Sequence, residues 1–224
     1  AGEGAKLLWL SKYLERAGTP YDTYVGSEGT HLAVVTGVGQ IIRGASTSDP
    51  LSGAATIGSD TLSQAIRDAI DDKDVKAILL RIDSPGGSVT ASEAIAHEVQ
   101  RATQGVNGVK KPVIVSMSNV AGSGGYYIAM NADAIVAQPG TITGSIGVYA
   151  GKFVTTKLFE QLGVNFETVS VGDKDVTFFS NDAPYSEAAK AKLDALVDGI
   201  HVDFVGKVAA GRKSTFEKIE PVAH

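Results

Sequence analysis

The chain has 224 residues, no cysteine, a formal net charge of −5, and 43% hydrophobic against 20% charged residues. That balance suits a globular chain with room for one core, and the acidic excess argues against a nucleic-acid binder. Without thiols, disulfides and cysteine-ligated metals are excluded, and no apolar run approaches the ~18 residues of a membrane span.

In chain order, Lys6–Ala17 reads as a short amphipathic helix stopped by Gly18 and Pro20, and its Trp9, Leu10 and Tyr13 need an apolar cover. Tyr21–Thr30 is polar, so residues 1–30 read as an N-terminal helical arm or linker ahead of a domain spanning 31–224. Leu32–Val35 opens the core as a strand, and Gly44–Ser59 reads as a long Gly/Ser/Thr-rich loop. Thr61–Ile70 is helical, with Leu62, Ala65, Ile66 and Ala69 on one face. Val75–Asp83 is an apolar strand that runs into Ser84-Pro85-Gly86-Gly87-Ser88. Thr90 and Glu93 then have the spacing of a capping box for a helix to Thr103. Pro112–Met117 is a second buried strand, leading through Gly122-Ser123-Gly124-Gly125 into a helix over Tyr126–Asn131.

Ala134–Ala137 follows as a short strand ended by Gln138-Pro139-Gly140. Next come a helix over Phe153–Leu162 stopped by Gly163 and an alternating strand over Val164–Val171. Ser186–Ala210 is a long helix with Leu193, Leu196, Val197, Ile200, Phe204 and Val208 at three-to-four spacing. Gly211 is expected to end it, and Ser214 with Glu217 offers a capping box for a last turn. Strands alternating with helices predict an α/β fold with parallel pairing.

Two strand–glycine turn–helix units in succession place two sets of backbone amides at one edge of a parallel sheet, where open α/β sheets carry their sites. Ser123, framed by glycines at a strand-to-helix turn, has the position of an exposed nucleophile, and the Gly124 and Gly125 amides are freed beside it. The Gly86–Gly87 turn would supply the other half of an oxyanion hole. Neither turn is a phosphate cradle of the P-loop or dinucleotide kind, because no Lys-Ser/Thr and no G-x-G-x-x-G accompanies it.

Four stretches carry a family resemblance: Leu80 to Val89 (LRIDSPGGSV), Val115-Ser116-Met117, Gly122 to Ile128 (GSGGYYI) and Ile142 to Val148 (ITGSIGV). In this order they resemble the signal peptide peptidase A (protease IV) family, over about Leu32 to Val222. The resemblance implies a Clp protease/crotonase-like fold, a repeated β-β-α superhelix with a largely parallel sheet. It also implies a serine peptidase with a Ser/Lys dyad that cleaves remnant signal peptides and other apolar peptides at a membrane surface. A homo-oligomer, a membrane-associated full-length protein and the extracytoplasmic face of the bacterial inner membrane come with it. Neither cofactor nor metal is called for, and nucleic acid is not an expected partner. The ends of the chain read as those of a piece of a longer protein.

A serine hydroxyl needs a base. Of the four histidines, His31, His97, His201 and His224, none falls between Ser123 and Ile200, so a Ser/His/Asp triad is disfavoured. A lysine serves if it is neutral. The resemblance brings the family's lysine to Lys174 and makes Ser145 the hydroxyl that helps hold it. Asp173 and Asp175 flank Lys174 and would raise its pKa unless they face water. Two alternatives stand beside the complete dyad. One is the serine-bearing half of a two-half protease whose lysine lies in another domain; the other is a non-catalytic oligomeric scaffold. An acyl-CoA-binding crotonase would share the paired amides but has no use for a glycine-framed serine.

Overall fold

The computed structural model describes residues 31–49, 51, 53–167, 169 and 178–223. The predicted Lys6–Ala17 helix, the arm over 1–30, Lys174 and His224 lie outside these residues.

Contacts divide the described chain into one unit of 31–146 with 205–223 and a second of 147–204. In the first, β1 (His31–Val38) begins the main sheet, while β2 (Gln40–Ile42) and β3 (Thr56–Gly58) form a separate parallel pair. β4 (Val75–Ser84) lies between β1 and β5 (Val113–Gly122). The other edge of β5 carries β6 (Ala134–Val136) at Ile114–Ser116 and β7 (Ile142–Gly144) at Val120–Gly122. Every ladder is parallel, as the alternation of strands and helices predicts.

Period two along β4 puts Ile78, Leu80 and Ile82 into the core and leaves Arg81 exposed. Helices α1 (Ser59–Asp71) and α2 (Val89–Gln104) turn Leu62, Ala65 and Ile66, and Ile95 and Val99, into the same cluster. Each buried Leu, Ile or Val stabilises the unit by roughly 1.5–3 kcal/mol. Two charges are drawn in with partners. Glu98 bridges Arg67 at 3.0 Å and Arg101 at 2.6 Å, and the Lys111 amine donates to the Ala69 carbonyl at 2.7 Å and to that of Asp72, capping the end of α1. Burial pushes the Lys111 pKa down.

Several boundaries move for local reasons. The Gly44–Ser59 stretch is not a structureless loop: Thr56 Oγ1 accepts from the Thr47 amide at 2.9 Å, Ser46 Oγ from Gly58 at 2.9 Å, and the stretch ends as β3. α2 is capped by Ser88, whose Oγ accepts from the Ala91 amide at 3.4 Å, so the Thr90–Glu93 capping box does not form. The helix after Ser123, α3 (Gly124–Ala129), begins at once.

In the second unit α4 spans Thr156–Gln161, shorter than predicted, with Phe153 left outside it. Val164–Glu167 is irregular where a strand was expected, because alternation alone makes no ladder and no described strand pairs with it. Lys152 donates to the Ser180 carbonyl at 2.7 Å and lies 4.3 Å from the centre of the Tyr185 ring.

Helix α5 (Glu187–Gly211) starts with Ser186 Oγ accepting from the Ala189 amide at 3.0 Å. Gly211 is its last residue, as expected, but glycine does not make the stop. The stop is Lys213 in the left-handed region (φ 52°), with the Ser214 amide bonded to the Ala209 carbonyl at 2.8 Å. Gly211 is glycine for another reason: a Cβ there would sit 2.5 Å from the Met130 carbonyl oxygen at the end of α3. Because Ser214 belongs to that stop, the last helix, α6 (Phe216–Ile219), takes Thr215 as its N-cap.

Candidate active site

β5 carries the chain to Ser123, which turns sharply with φ 50° and ψ −119° before α3 begins. A non-glycine residue holds such angles only when its surroundings fix them. Here the Ser123 amide donates to the Gly144 carbonyl of β7 at 2.9 Å, and the Ser123 carbonyl accepts from the Tyr127 amide at 2.9 Å. The turn is therefore held on both sides. Ser123 stays partly exposed while Gly122, Gly124 and Gly125 are buried. Ser145, the residue after β7, is exposed and has φ 48°. A Cβ on Gly122 would lie 3.7 Å from the Ser145 Cβ, so Ser145 borders the serine turn.

The other glycine turn touches this one. A Cβ on Gly86 would sit 2.8 Å from both the Gly124 nitrogen and the Ser123 Cβ, and one on Gly124 would sit 3.3 Å from the Gly86 Cα. Within Ser84–Ser88 the amides are not equivalent. The Gly86 amide donates to Ser84 Oγ at 3.1 Å, and the Gly86 carbonyl accepts from Ile41 at 2.9 Å. The Ser88 amide donates to the Ile41 carbonyl at 2.9 Å. Ile41 of β2 thus pairs with one edge of the segment in parallel register opposite Gly87. Gly87 is exposed, and among the described residues its N–H and C=O have no partner, so they face the open side. The Gly124 amide is the first of α3 and has no partner in its own helix. Of the glycine pair, Gly87 offers an unengaged donor and Gly86 does not.

Residues that sequence reasoning passed over hold these turns in place. Between the Ile82–Met117 and Ser84–Ala121 pairs the β4–β5 register slips, with more residues on β5 than on β4. The Asp83 carboxylate spans the slip, accepting from the Val120 amide at 3.1 Å and from Asn119 Nδ2 at 2.9 Å. Arg81, on the same face of β4, donates to Ser116 Oγ at 2.7 Å and Ser118 Oγ at 2.9 Å. The signal was their presence in the polar end of an otherwise apolar strand, Arg81-Ile82-Asp83-Ser84. Burial raises the pKa of both Tyr126 and Tyr127, the latter also by its bond to Glu93.

Of the described histidines, His31 opens β1 at the opposite edge of the sheet and His97 sits exposed on α2. Lys174 falls outside the described residues. Among the described residues no helix is long and apolar enough to cross a membrane, and no cluster of three or more His, Asp or Glu is arranged to hold a metal.

Comparison with known proteins matches residues 107–224 to the profile described as peptidase family S49. The chloroplastic serine protease SPPA of Arabidopsis thaliana is 38% identical over 194 residues, 86% of this chain and 27% of that protein. Protease 4 of Salmonella typhi is 36% identical over 214 residues, 96% of this chain and 32% of that protein. The chain thus spans about a third or less of these relatives. Among solved structures, a membrane-bound stomatin-specific protease superposes with a TM-score of 0.50 at 18% identity, covering 87% of this chain and 70% of that one, a likeness of fold. The fold is the Clp protease/crotonase-like one that the sequence motifs imply.

Proposed function

This chain belongs to peptidase family S49, and from that premise we propose that it hydrolyses peptide bonds with Ser123 as the nucleophile. The observation that carries the reading is the contact between the two glycine turns. It brings Ser123, at φ 50°, beside a segment with an unengaged amide at Gly87. Attack by Ser123 Oγ on a peptide carbonyl puts negative charge on the carbonyl oxygen. The Gly87 and Gly124 amides are the donors to receive it, worth roughly 2.7–4 kcal/mol each in comparable sites. Gly86, its amide held by Ser84, shapes the hole and does not donate into it.

The base in this proposal is Lys174, neutral when it accepts the serine proton, with Ser145 helping to hold it. The substrate is an extended apolar peptide, such as a cleaved signal peptide, added as a strand on the open side of Gly87. In the same reading the protein is membrane-associated at the extracytoplasmic face of a bacterial inner membrane and forms homo-oligomers.

A second reading has the serine in this chain and the lysine in another part of a longer protein. It is favoured by the 27% and 32% of the relatives' length that the chain spans. Reaction with a fluorophosphonate tests the nucleophile: the wild type labels at Ser123 and Ser123→Ala does not. Unchanged labelling or turnover in Ser123→Ala overturns it. Lys174→Ala separates the two sources of the base, abolishing turnover in the first reading and leaving it untouched in the second.

A further inference from the structure

One polar cluster joins residues of three helices in a role that no motif above assigned to them. Glu93 of α2, Tyr127 of α3 and Lys207 near the end of α5 meet in a closed triangle. Lys207 Nζ lies 2.7 Å from Glu93 Oε2 and 2.8 Å from the Tyr127 hydroxyl, and that hydroxyl donates to the same Glu93 oxygen. Lys207 also sits 5.5 Å from the centre of the Tyr127 ring, over its face. Tyr127 is buried. Its backbone amide is the one bonded to the Ser123 carbonyl, so the pinned side chain stands one helical turn from the nucleophile.

The same stretch of α5 grips α3 again at its far end. Arg212 donates to the Ala132 carbonyl at 2.8 Å and the Met130 carbonyl at 3.3 Å, and Gly211 admits Met130 at a distance no side chain would tolerate. Val205, Val208 and Ala209 are buried on that stretch. A helix as short as α3 makes few bonds of its own, so its rotation is set by what holds its side chains. A salt bridge whose two side chains are 37% and 49% exposed adds little to stability. A triangle that also fixes an aromatic ring has a different use, which is orientation.

We propose that Glu93, Tyr127 and Lys207 are positioning residues for Ser123: through them the C-terminal end of α5 sets the rotation of α3, and with it the direction of the serine hydroxyl and of the Gly124 amide. In this role they act through α3 and not on the reacting atoms themselves. Lys207 is not offered as the base: its amine is bonded to Glu93 and to the Tyr127 hydroxyl. The inference rests on Ser123 being the nucleophile.

The test uses the full-length protein and its Lys207→Met, Lys207→Arg, Glu93→Gln and Tyr127→Phe variants. The measurements are the fluorophosphonate labelling rate of Ser123, kcat and KM on an apolar peptide, and Tm. Misplacing a reacting group by about 1 Å costs on the order of 100-fold. Lys207→Met is therefore expected to lower labelling rate and kcat together by about 10- to 100-fold. KM should stay within about twofold, the assay being run well below the variant's Tm, and Lys207→Arg should recover most of the loss. Glu93→Gln and Tyr127→Phe should show the same split to a smaller degree. Folded variants that label and turn over within about twofold of the wild type overturn the inference, as does a loss that tracks only the fraction unfolded. A wild type that does not label at Ser123 overturns the nucleophile as well, so the two failures read differently.

Discussion

Gly86 and Ser123 approach more closely than any side chain at position 86 would allow: a Cβ there would stand 2.8 Å from the Ser123 Cβ and as close to the Gly124 nitrogen, at a φ of +103°. Gly86→Ala must therefore push the serine turn away and adopt a strained backbone as well. We expect a loss of about 1–3 kcal/mol in stability and a disproportionate loss of Ser123 labelling. Gly147→Ala, at a position with no atom of the described residues within 4 Å of the added carbon, is the control and should leave stability unchanged. Denaturant unfolding of the two variants decides it; equal effects would contradict the contact.

Ser123 itself is held at φ 50° and ψ −119°, a conformation that glycine adopts with less strain. Ser123→Gly should be inert and more stable than Ser123→Ala by about 1 kcal/mol. Thermal unfolding of the pair measures the difference, and a less stable glycine variant would mean that the turn stores no strain.

Removing the Asp83 carboxylate leaves the Val120 amide and Asn119 without their acceptor at the register slip. Asp83→Ala should cost about 1–3 kcal/mol. Asp83→Asn should fall between it and the wild type, since the amide can still accept from Val120 but its NH2 opposes that of Asn119. Hydrogen exchange at Val120 should quicken in both.

Burial would raise the Glu93 pKa, but hydrogen bonds from Lys207 and then Tyr127, with the charges of Lys207 and His97, outweigh it and hold it below the usual 4.5. For a carboxylate depressed in the folded state, the stability it contributes is present above the unfolded value and lost as pH falls through the folded one. The gap in Tm between wild type and Glu93→Gln should accordingly be steady from neutral pH to about 5 and close below 4.5. With Glu93 half exposed the gap is modest. A gap that widens on acidification would contradict this sign.

The sequence displayed what is periodic and what is contiguous. β4, β5, α1 and α2 were legible because each is long enough to show its period, and the two glycine turns because each is a single unbroken stretch. β2, β3 and β7 have three residues apiece, too few for a period of two to register. The difference between Gly86 and Gly87 rests on Ser84 Oγ and on Ile41, which arrives from another sheet. Glu93, Tyr127 and Lys207 are far apart in the chain, and Glu93 read instead as the second half of a cap that Ser88 in fact supplies alone. Gly211 does close α5, as its sequence suggested, but Lys213 makes the left-handed turn; the constraint on Gly211, the Met130 carbonyl, is invisible until α3 is in place.

Parallel ladders throughout have a consequence for the order of events as the chain folds. No neighbouring strands of the main sheet are joined by a hairpin: β1 waits for β4 and β4 for β5, each across a helix. Such non-local pairing is slow, since the loop must close before any contact rewards it. Gly86 meets Ser123 only after the β4–β5 ladder has zipped past the slip at Asp83, and Ser123 finds Gly144 only after β7 has arrived. A nascent or partly unfolded chain therefore holds Ser123 without the Gly87 amide beside it, and the paired donors are assembled only once these late contacts form.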